Sequence, residues 1–282
     1  MRRLDLQLDL RLAEGYKSPS QRARRLTEGW FAGLGTLAGR ACRGSTAGRS
    51  RARAENMYCA ACPNDRLERT RGSTEVVDFL CPGCGAEYQV KAKAGALGAR
   101  LRDAAYGPMI RRARANRSPH FAFLGYERER WRVWNLLLVP GHFITPEVIE
   151  RCRPLRAGAR RAGWVGCNIL AKRIPADGRL AAVDDGRVVP VAEVRAGWGR
   201  FAYLATAKAD ERGWTVDVLG CVRALGAREF ALREFYDRFE EELAARHPAN
   251  RNVEPKIRQQ LQVLRDRGIV RFLGHGRYVV EE

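Results

Sequence analysis

The chain has 282 residues, 45% apolar and 29% charged, and carries a formal net charge of +19. That balance belongs to a folded globular protein, and no run approaches the roughly 20 apolar residues of a membrane-spanning helix, so a membrane partner is not expected. Codon bias accounts for 45 Arg against 6 Lys, but not for 32 acidic against 51 basic residues, and that excess favours phosphate backbones as partners.

The first residues, MRRLDLQLDLRLAEG, alternate charge with leucine and lack the continuous apolar stretch of a signal peptide. Ser18-Pro19-Ser20-Gln21 reads as a helix start, with Ser at the N-cap, Pro at the first helical position and Gln at the third. The helix carries Ala23, Leu26, Trp30 and Phe31 on one broad face. Residues 31–56, rich in Gly, Ala, Ser and Arg and without periodicity after the leucine, are expected to form a flexible insertion.

Eight cysteines with no secretory signal argue for a cytoplasmic protein that uses thiols on metal and not in disulfides. Cys59-x2-Cys62 and Cys81-x2-Cys84 have the spacing of a tetrathiolate zinc site. Four protein ligands leave no open coordination position, so the zinc is expected to be structural. Cys42, Cys152, Cys167 and Cys221 show no such pairing and suit buried thiols.

The second pair sits inside VVDFLCPGCGAEYQVKAKAG. Asp78 is expected to end one β-rich run and Gln89-Val90-Lys91 to lie on the next, where alternation puts Gln89 and Lys91 on one face. An acid opposite a polar-x-Lys is an arrangement that metal-dependent nucleases use. Asp78 and the Gln89 carbonyl would hold a divalent cation, and Lys91 would stabilise developing negative charge or place the attacking water. A zinc site tying the same hairpin would fix its register, which matters because a one-residue slip reverses every side chain.

A helix is predicted from about Leu97 to Ala115, with Leu101, Ala105, Met109 and Ala113 at four-residue steps and a kink or break at Gly107-Pro108. HFAFLGYE and WRVWNLLLVPG follow as strands in the middle of a sheet. PLRAGARRAGWVGCNI is a basic loop that closes on Trp164 between Gly163 and Gly166, with Arg160 and Arg161 beside it. An aromatic ring on such a loop suits a base or methyl reader as well as a piece of core.

A boundary is expected near Ala205–Asp210. Beyond it EFALREFYDRFEEELAARH places Phe230, Leu232, Phe235, Phe239 and Leu243 at largely helical spacing. A shorter helix, EPKIRQQLQVLRDRG, turns Ile257, Leu261 and Leu264 inward and leaves Arg258, Gln259 and Gln262 flanking or opposite that face. IVRFLGHGRYVV alternates around Gly274-His275-Gly276 as a hairpin. Helix, helix and hairpin make a winged helix-turn-helix with the short helix in the recognition position.

The stretches YKSPSQRARRLTEGW, YCAAC, DFLCPGCGAEYQVKAKAG, RRAGWVGCNI, RGWTVDVL and KIRQQLQVLRDRGIVRF resemble the Dam-replacing family of DpnI-like methyl-directed restriction endonucleases. The resemblance implies an α/β PD-(D/E)xK restriction-endonuclease-like domain with a tetracysteine zinc site, here 1–204, followed by an α+β winged helix-turn-helix domain, 205–282. It implies a type IIM enzyme, expected to act as a monomer, that cleaves double-stranded DNA at GATC sites bearing N6-methyladenine by magnesium-dependent hydrolysis. By motif the acid is Asp78, the lysine Lys91 and the methyl contact Trp164. Gln89 departs from the family, which has Glu there, and Glu28 on the first helix is a candidate for a further carboxylate. A methyl-DNA sensor with a decayed site, or a nuclease of this fold with another target, are the alternatives.

Overall fold

The computed structural model describes residues 57–70, 76–127 and 132–281. The predicted first helix, the insertion at 31–56, Glu28 and Cys42 lie outside them. The chain is mixed α/β, with a sheet-rich N-terminal part and a helical C-terminal part.

The large sheet contains β1 (Glu68–Arg69), β2 (Phe79–Leu80), β3 (Glu87–Ala94), β5 (His120–Glu127), β6 (Arg132–Val139), β9 (Leu180–Asp184) and β10 (Arg187–Val188), hydrogen-bonded in that order. β3 and β5 pair in parallel, and the other neighbours in this sheet are antiparallel. A parallel pair needs a crossover connection. Here β4 (Arg100–Ala105) and helix α1 (Tyr106–Arg114) make it. β4 also joins β8 (Gly166–Leu170) and β7 (Ile149–Arg151) in a small antiparallel sheet ordered β4-β8-β7.

Alternation along β5 divides the interior in two. Phe121 and Phe123 enter one apolar cluster with Met109, Phe143 and Ile169, and their own rings stack 5.1 Å apart. Ala122, Leu124 and Tyr126 enter a second with Tyr88, Leu136, Leu138 and Trp198, the last from helix α2 (Val191–Arg200). Burial on both faces explains why β5 reads as a continuous apolar run.

The predicted helix over 97–115 is half strand. In β4 Leu101 and Asp103 are buried while Arg100 and Arg102 are exposed, a period of two that the four-residue spacing of Leu101 and Ala105 conceals. Pro108 is the third residue of α1, in the first turn, where a backbone N–H has no intrahelical partner to lose.

The C-terminal part opens with α3 (Ala209–Leu225), followed by β11 (Glu229–Ala231), α4 (Leu232–Arg246), α5 (Val253–Asp266), β12 (Val270–Gly274) and β13 (Arg277–Val280). The predicted hairpin is β12–β13, and β11 extends it in the order β11-β13-β12. Phe230, counted with the helix by its spacing, sits on β11, where its ring stacks on Tyr278 at 5.4 Å. One apolar cluster runs through both parts: Trp214, Val218 and Leu219 of α3 belong to the same buried set as Phe143, Ile174 and Phe201.

Candidate active site and cysteine cluster

Gln89 and Lys91 lie on β3 opposite Phe121 and Phe123 of β5, so they share that face of the sheet. Their positions differ in solvent access. Gln89 is buried, whereas the Lys91 side chain is 27% exposed. Asp78 is exposed and stands just before β2. Its backbone N–H donates to Tyr88 O at 2.8 Å, and its Oδ2 accepts the Val90 N–H at 2.8 Å. The carboxylate is thereby fixed to the peptide that links Gln89 to Val90. The three residues singled out in the sequence converge on one short segment of β3.

A fourth residue belongs with them. Asp103 of β4 is wholly buried at its side chain, and its Oδ1 lies 3.0 Å from Lys91 Nζ. The Gln89 amide is oriented by its neighbours: the oxygen accepts from Lys91 Nζ at 2.9 Å, and the nitrogen donates to Asp103 Oδ1 at 3.1 Å. The reverse orientation would set oxygen against carboxylate and nitrogen against ammonium. Gln89, Lys91 and Asp103 close a triangle of hydrogen bonds in which Oδ1 is shared. Asp103 Oδ2 also faces the Cys167 thiol of β8 at 3.7 Å. Burial, and then the neighbouring Asp103 charge, push that thiol up to about 12, so it stays protonated.

β8 connects this triangle to the basic loop. Gly166 pairs with Ala105, and the Tyr106 N–H donates to Val165 O at 3.0 Å. Trp164, half-buried, precedes them. Its ring lies so close to Gly166 that a Cβ there would meet ring carbons at 2.8 Å, so a side chain at that position would push the ring aside. The Arg161 guanidinium lies 4.9 Å from the ring centroid, and Arg160 and Arg161 are exposed. The loop holds a half-open aromatic surface beside the strand that packs on β4.

The four paired cysteines come together around the side of β3 that carries Tyr88. All four sulfurs lie within 4.8 Å of one another, with Cys59 to Cys84 at 3.7 Å and Cys62 to Cys81 at 3.6 Å. A tetrahedral site with sulfurs about 2.3 Å from the ion would place them about 3.8 Å apart. Burial opposes a Cys81 thiolate, but the N–H groups of Cys84 and Gly83 outweigh it and bring that thiol down to about 7. Burial raises the Cys59 thiol. The cluster brings four thiols within reach of a single metal ion. Of the remaining cysteines within the described residues, Cys167 and Cys221 are buried and Cys152 is half-buried.

Tyr88 links the two sites. It is the residue before Gln89, and its side chain leaves the opposite face of the strand. Its hydroxyl accepts the Ala60 N–H at 3.0 Å and lies 3.3 Å from Cys59 Sγ. Burial, with the Cys59 thiol adding to it, holds the Tyr88 hydroxyl above its ordinary range, so it keeps its proton to donate to sulfur. Arg195 of α2 clamps the same knuckle through Cys59 O and Asn64 O, both at 3.1 Å.

In the C-terminal part Arg258, Gln259 and Gln262 are exposed along α5, and Ile257, Leu261 and Leu264 are buried beneath it. The face expected to read DNA is open. These residues lie on a different element from the β3 cluster and do not join it. Among the described residues, no helix is long and apolar enough to cross a membrane.

Residues 51–207 match the family model described as DpnI, Dam-replacing family. Residues 210–279 match that of the Dam-replacing HTH domain.

Proposed function

We propose that this chain, which belongs to the Dam-replacing family, is a methyl-directed DNA endonuclease whose N-terminal part is of the PD-(D/E)xK class. It would act in the cytoplasm as a monomer, cutting double-stranded DNA at N6-methyladenine GATC sites by phosphodiester hydrolysis. The observation that carries this reading is the placement of Asp78 and Lys91 about one segment of β3: the Asp78 carboxylate accepts the Val90 N–H, and Lys91, the next residue, is paired with Asp103 and partly exposed. A DNA-binding helix-turn-helix domain follows in the same chain.

The oxygen donors of the site suit magnesium, a hard cation that prefers carboxylate and carbonyl ligands. Asp78 would hold it with its exposed carboxylate, and the Gln89 amide oxygen would add a neutral ligand. When bound, the ion would polarise the phosphodiester and lower the pKa of a coordinated water. Lys91, fixed from two sides, presents its remaining N–H to the phosphate or to that water. The exposed arginines of the Trp164 loop and of α5 would bind backbone phosphates, with affinity falling steeply as salt rises.

Incubation of plasmid with and without adenine methylation, in magnesium, tests this directly. Cleavage of the methylated plasmid alone is the expected result. Binding of methylated DNA without cleavage would favour the sensor that Gln89, a neutral residue where the family has a carboxylate, suggests. Equal cleavage of both plasmids would indicate a nuclease with another target.

N6-methylation removes a major-groove donor of adenine and adds an apolar group. Burial of one methyl contributes about 0.8 kcal/mol, so two methyls against aromatic carbon give roughly fifteen-fold discrimination. Trp164→Ala is expected to lower the methylated-to-unmethylated rate ratio by about that factor, by slowing the methylated substrate. A ratio unchanged in paired rate measurements would assign Trp164 to packing alone.

We further propose zinc as the ion of the tetracysteine site. Tyr88→Phe removes the hydroxyl beside Cys59 and leaves the Ala60 N–H without its acceptor. Outer-shell losses of this kind cost about ten-fold or more in metal affinity. Competition with a chromophoric chelator should show that shift, and zinc release at the wild-type chelator concentration would count against the coupling.

A further inference from the structure

We infer that Asp103 is a positioning residue of the catalytic centre: it supplies, from β4, the buried negative charge that position 89 lacks, and with it fixes Lys91 and Gln89. This rests on the nuclease reading above. Two charged or polar partners meet one oxygen of a side chain that has no exposure of its own, Lys91 Nζ at 3.0 Å and the Gln89 amide nitrogen at 3.1 Å. A buried carboxylate persists as an anion only where it is paired and hydrogen-bonded, and here both conditions are met by residues of the site. The partners gain in turn. Gln89 can turn its oxygen to Lys91 only because its nitrogen has an acceptor in Asp103, and Lys91 is held between two oxygens on neighbouring elements.

The triangle also accounts for glutamine at position 89. The Gln89 nitrogen donates to Asp103, which a carboxylate at 89 could not do, and two carboxylates about 3 Å apart would have to share the single Lys91 cation. The chain carries one negative charge in this pocket, on β4, and a neutral amide on β3. Exchanging the two chemistries keeps the charge count: with Glu at 89 and Asn at 103, the new carboxylate can accept from Lys91 as the Gln89 oxygen now does, and the new amide can donate to it.

The experiment compares wild type, Asp103→Asn and the exchange Gln89→Glu/Asp103→Asn as full-length protein on methylated plasmid. It measures single-turnover cleavage in magnesium, DNA affinity, and melting without added magnesium. Asp103→Asn should slow cleavage by about 100-fold, the scale of removing one preorganised polar contact. DNA affinity should stay within about three-fold, because the phosphate-binding arginines are untouched. Melting should fall by a few degrees, as Lys91 loses its buried anion. The exchange should recover at least about ten-fold of the rate and most of the melting temperature.

Cleavage by Asp103→Asn within about three-fold of wild type would overturn the proposal. So would an exchange variant that folds yet recovers none of the rate, since Asp103 would then serve the fold alone. If Asp103→Asn fails to fold, the exchange variant decides by itself, cleaving or inert. Wild type unable to cut any DNA would remove the nuclease reading, and this inference with it, whereas an active wild type beside an equally active Asp103→Asn removes this inference only.

Discussion

Asp78→Asn is expected to abolish cleavage, by about a thousand-fold or more, with little change in folding or in DNA affinity. The substitution keeps an oxygen for the Val90 N–H, so the bond at 2.8 Å survives while the negative charge does not. Asp78 is exposed, and a surface change of this kind costs within about 0.5 kcal/mol of stability. What is lost is the charged ligand of the proposed cation, and polarisation by a metal contributes several kcal/mol to a hydrolytic transition state. Single-turnover cleavage and a gel-shift titration measure the two quantities separately. Retained cleavage would remove Asp78 from the site. Lys91→Ala is the less clean variant. It should also stop cleavage, but it leaves the Asp103 carboxylate buried without its cation, and breaking a buried pair costs about 3–5 kcal/mol.

Stripping the metal from the tetracysteine site is expected to unfold the N-terminal part. Structural zinc contributes on the order of 10 kcal/mol in small sites, comparable with the roughly 5–15 kcal/mol that holds a whole domain together. The loss would travel along a definite route. Without the ion the four sulfurs no longer hold Cys59 against Tyr88, and Tyr88 precedes Gln89 on β3. Arg195 loses its two carbonyl partners on the knuckle, which loosens α2 from the same face. Metal analysis should find one zinc per chain, and chelation should lower the melting temperature by tens of degrees. A folded protein without zinc, or a melting temperature indifferent to chelator, would show that the cysteines serve another end.

The cysteine cluster is legible in the sequence because its signal is spacing, and two Cys-x2-Cys turns carry their geometry with them. The helix-turn-helix is legible because Ile257, Leu261 and Leu264 repeat with a clean helical period and the hairpin turn is marked by Gly274-His275-Gly276. Asp103 is not. Its strand spans six residues and runs directly into α1, so Leu101, Ala105, Met109 and Ala113 align at helical steps across two elements. Strand alternation between Arg100 and Asp103 is visible only once Asp103 is known to be inside, and a buried acid looks like a surface acid in a sequence. Its partner Lys91 stands out through the Gln-x-Lys pattern, yet no pattern in the chain points from Lys91 to the acid on the following strand. Phe230 misleads for the reverse reason: a three-residue strand abuts α4, and its apolar residue falls in step with the helix.

The helix α3 bears on how the molecule comes into being. Arg212 of α3 is fully buried and its Nη2 donates to Ala113 O, near the end of α1, at 3.0 Å. Further along, Arg223 forms two hydrogen bonds to Asp177, at 2.7 and 2.9 Å. Trp214, Val218, Leu219 and Val222 complete the apolar cluster that also contains Phe121 and Phe123. During synthesis domains fold as units from the N-terminus. Here the first unit has no finished interior until residues 209–225 have emerged from the ribosome, by which time the helix-turn-helix is already being made. A chain broken off before that point leaves the strand of Gln89 and Lys91 on an open core, so the proposed cutting centre would not assemble in an unfinished translation product.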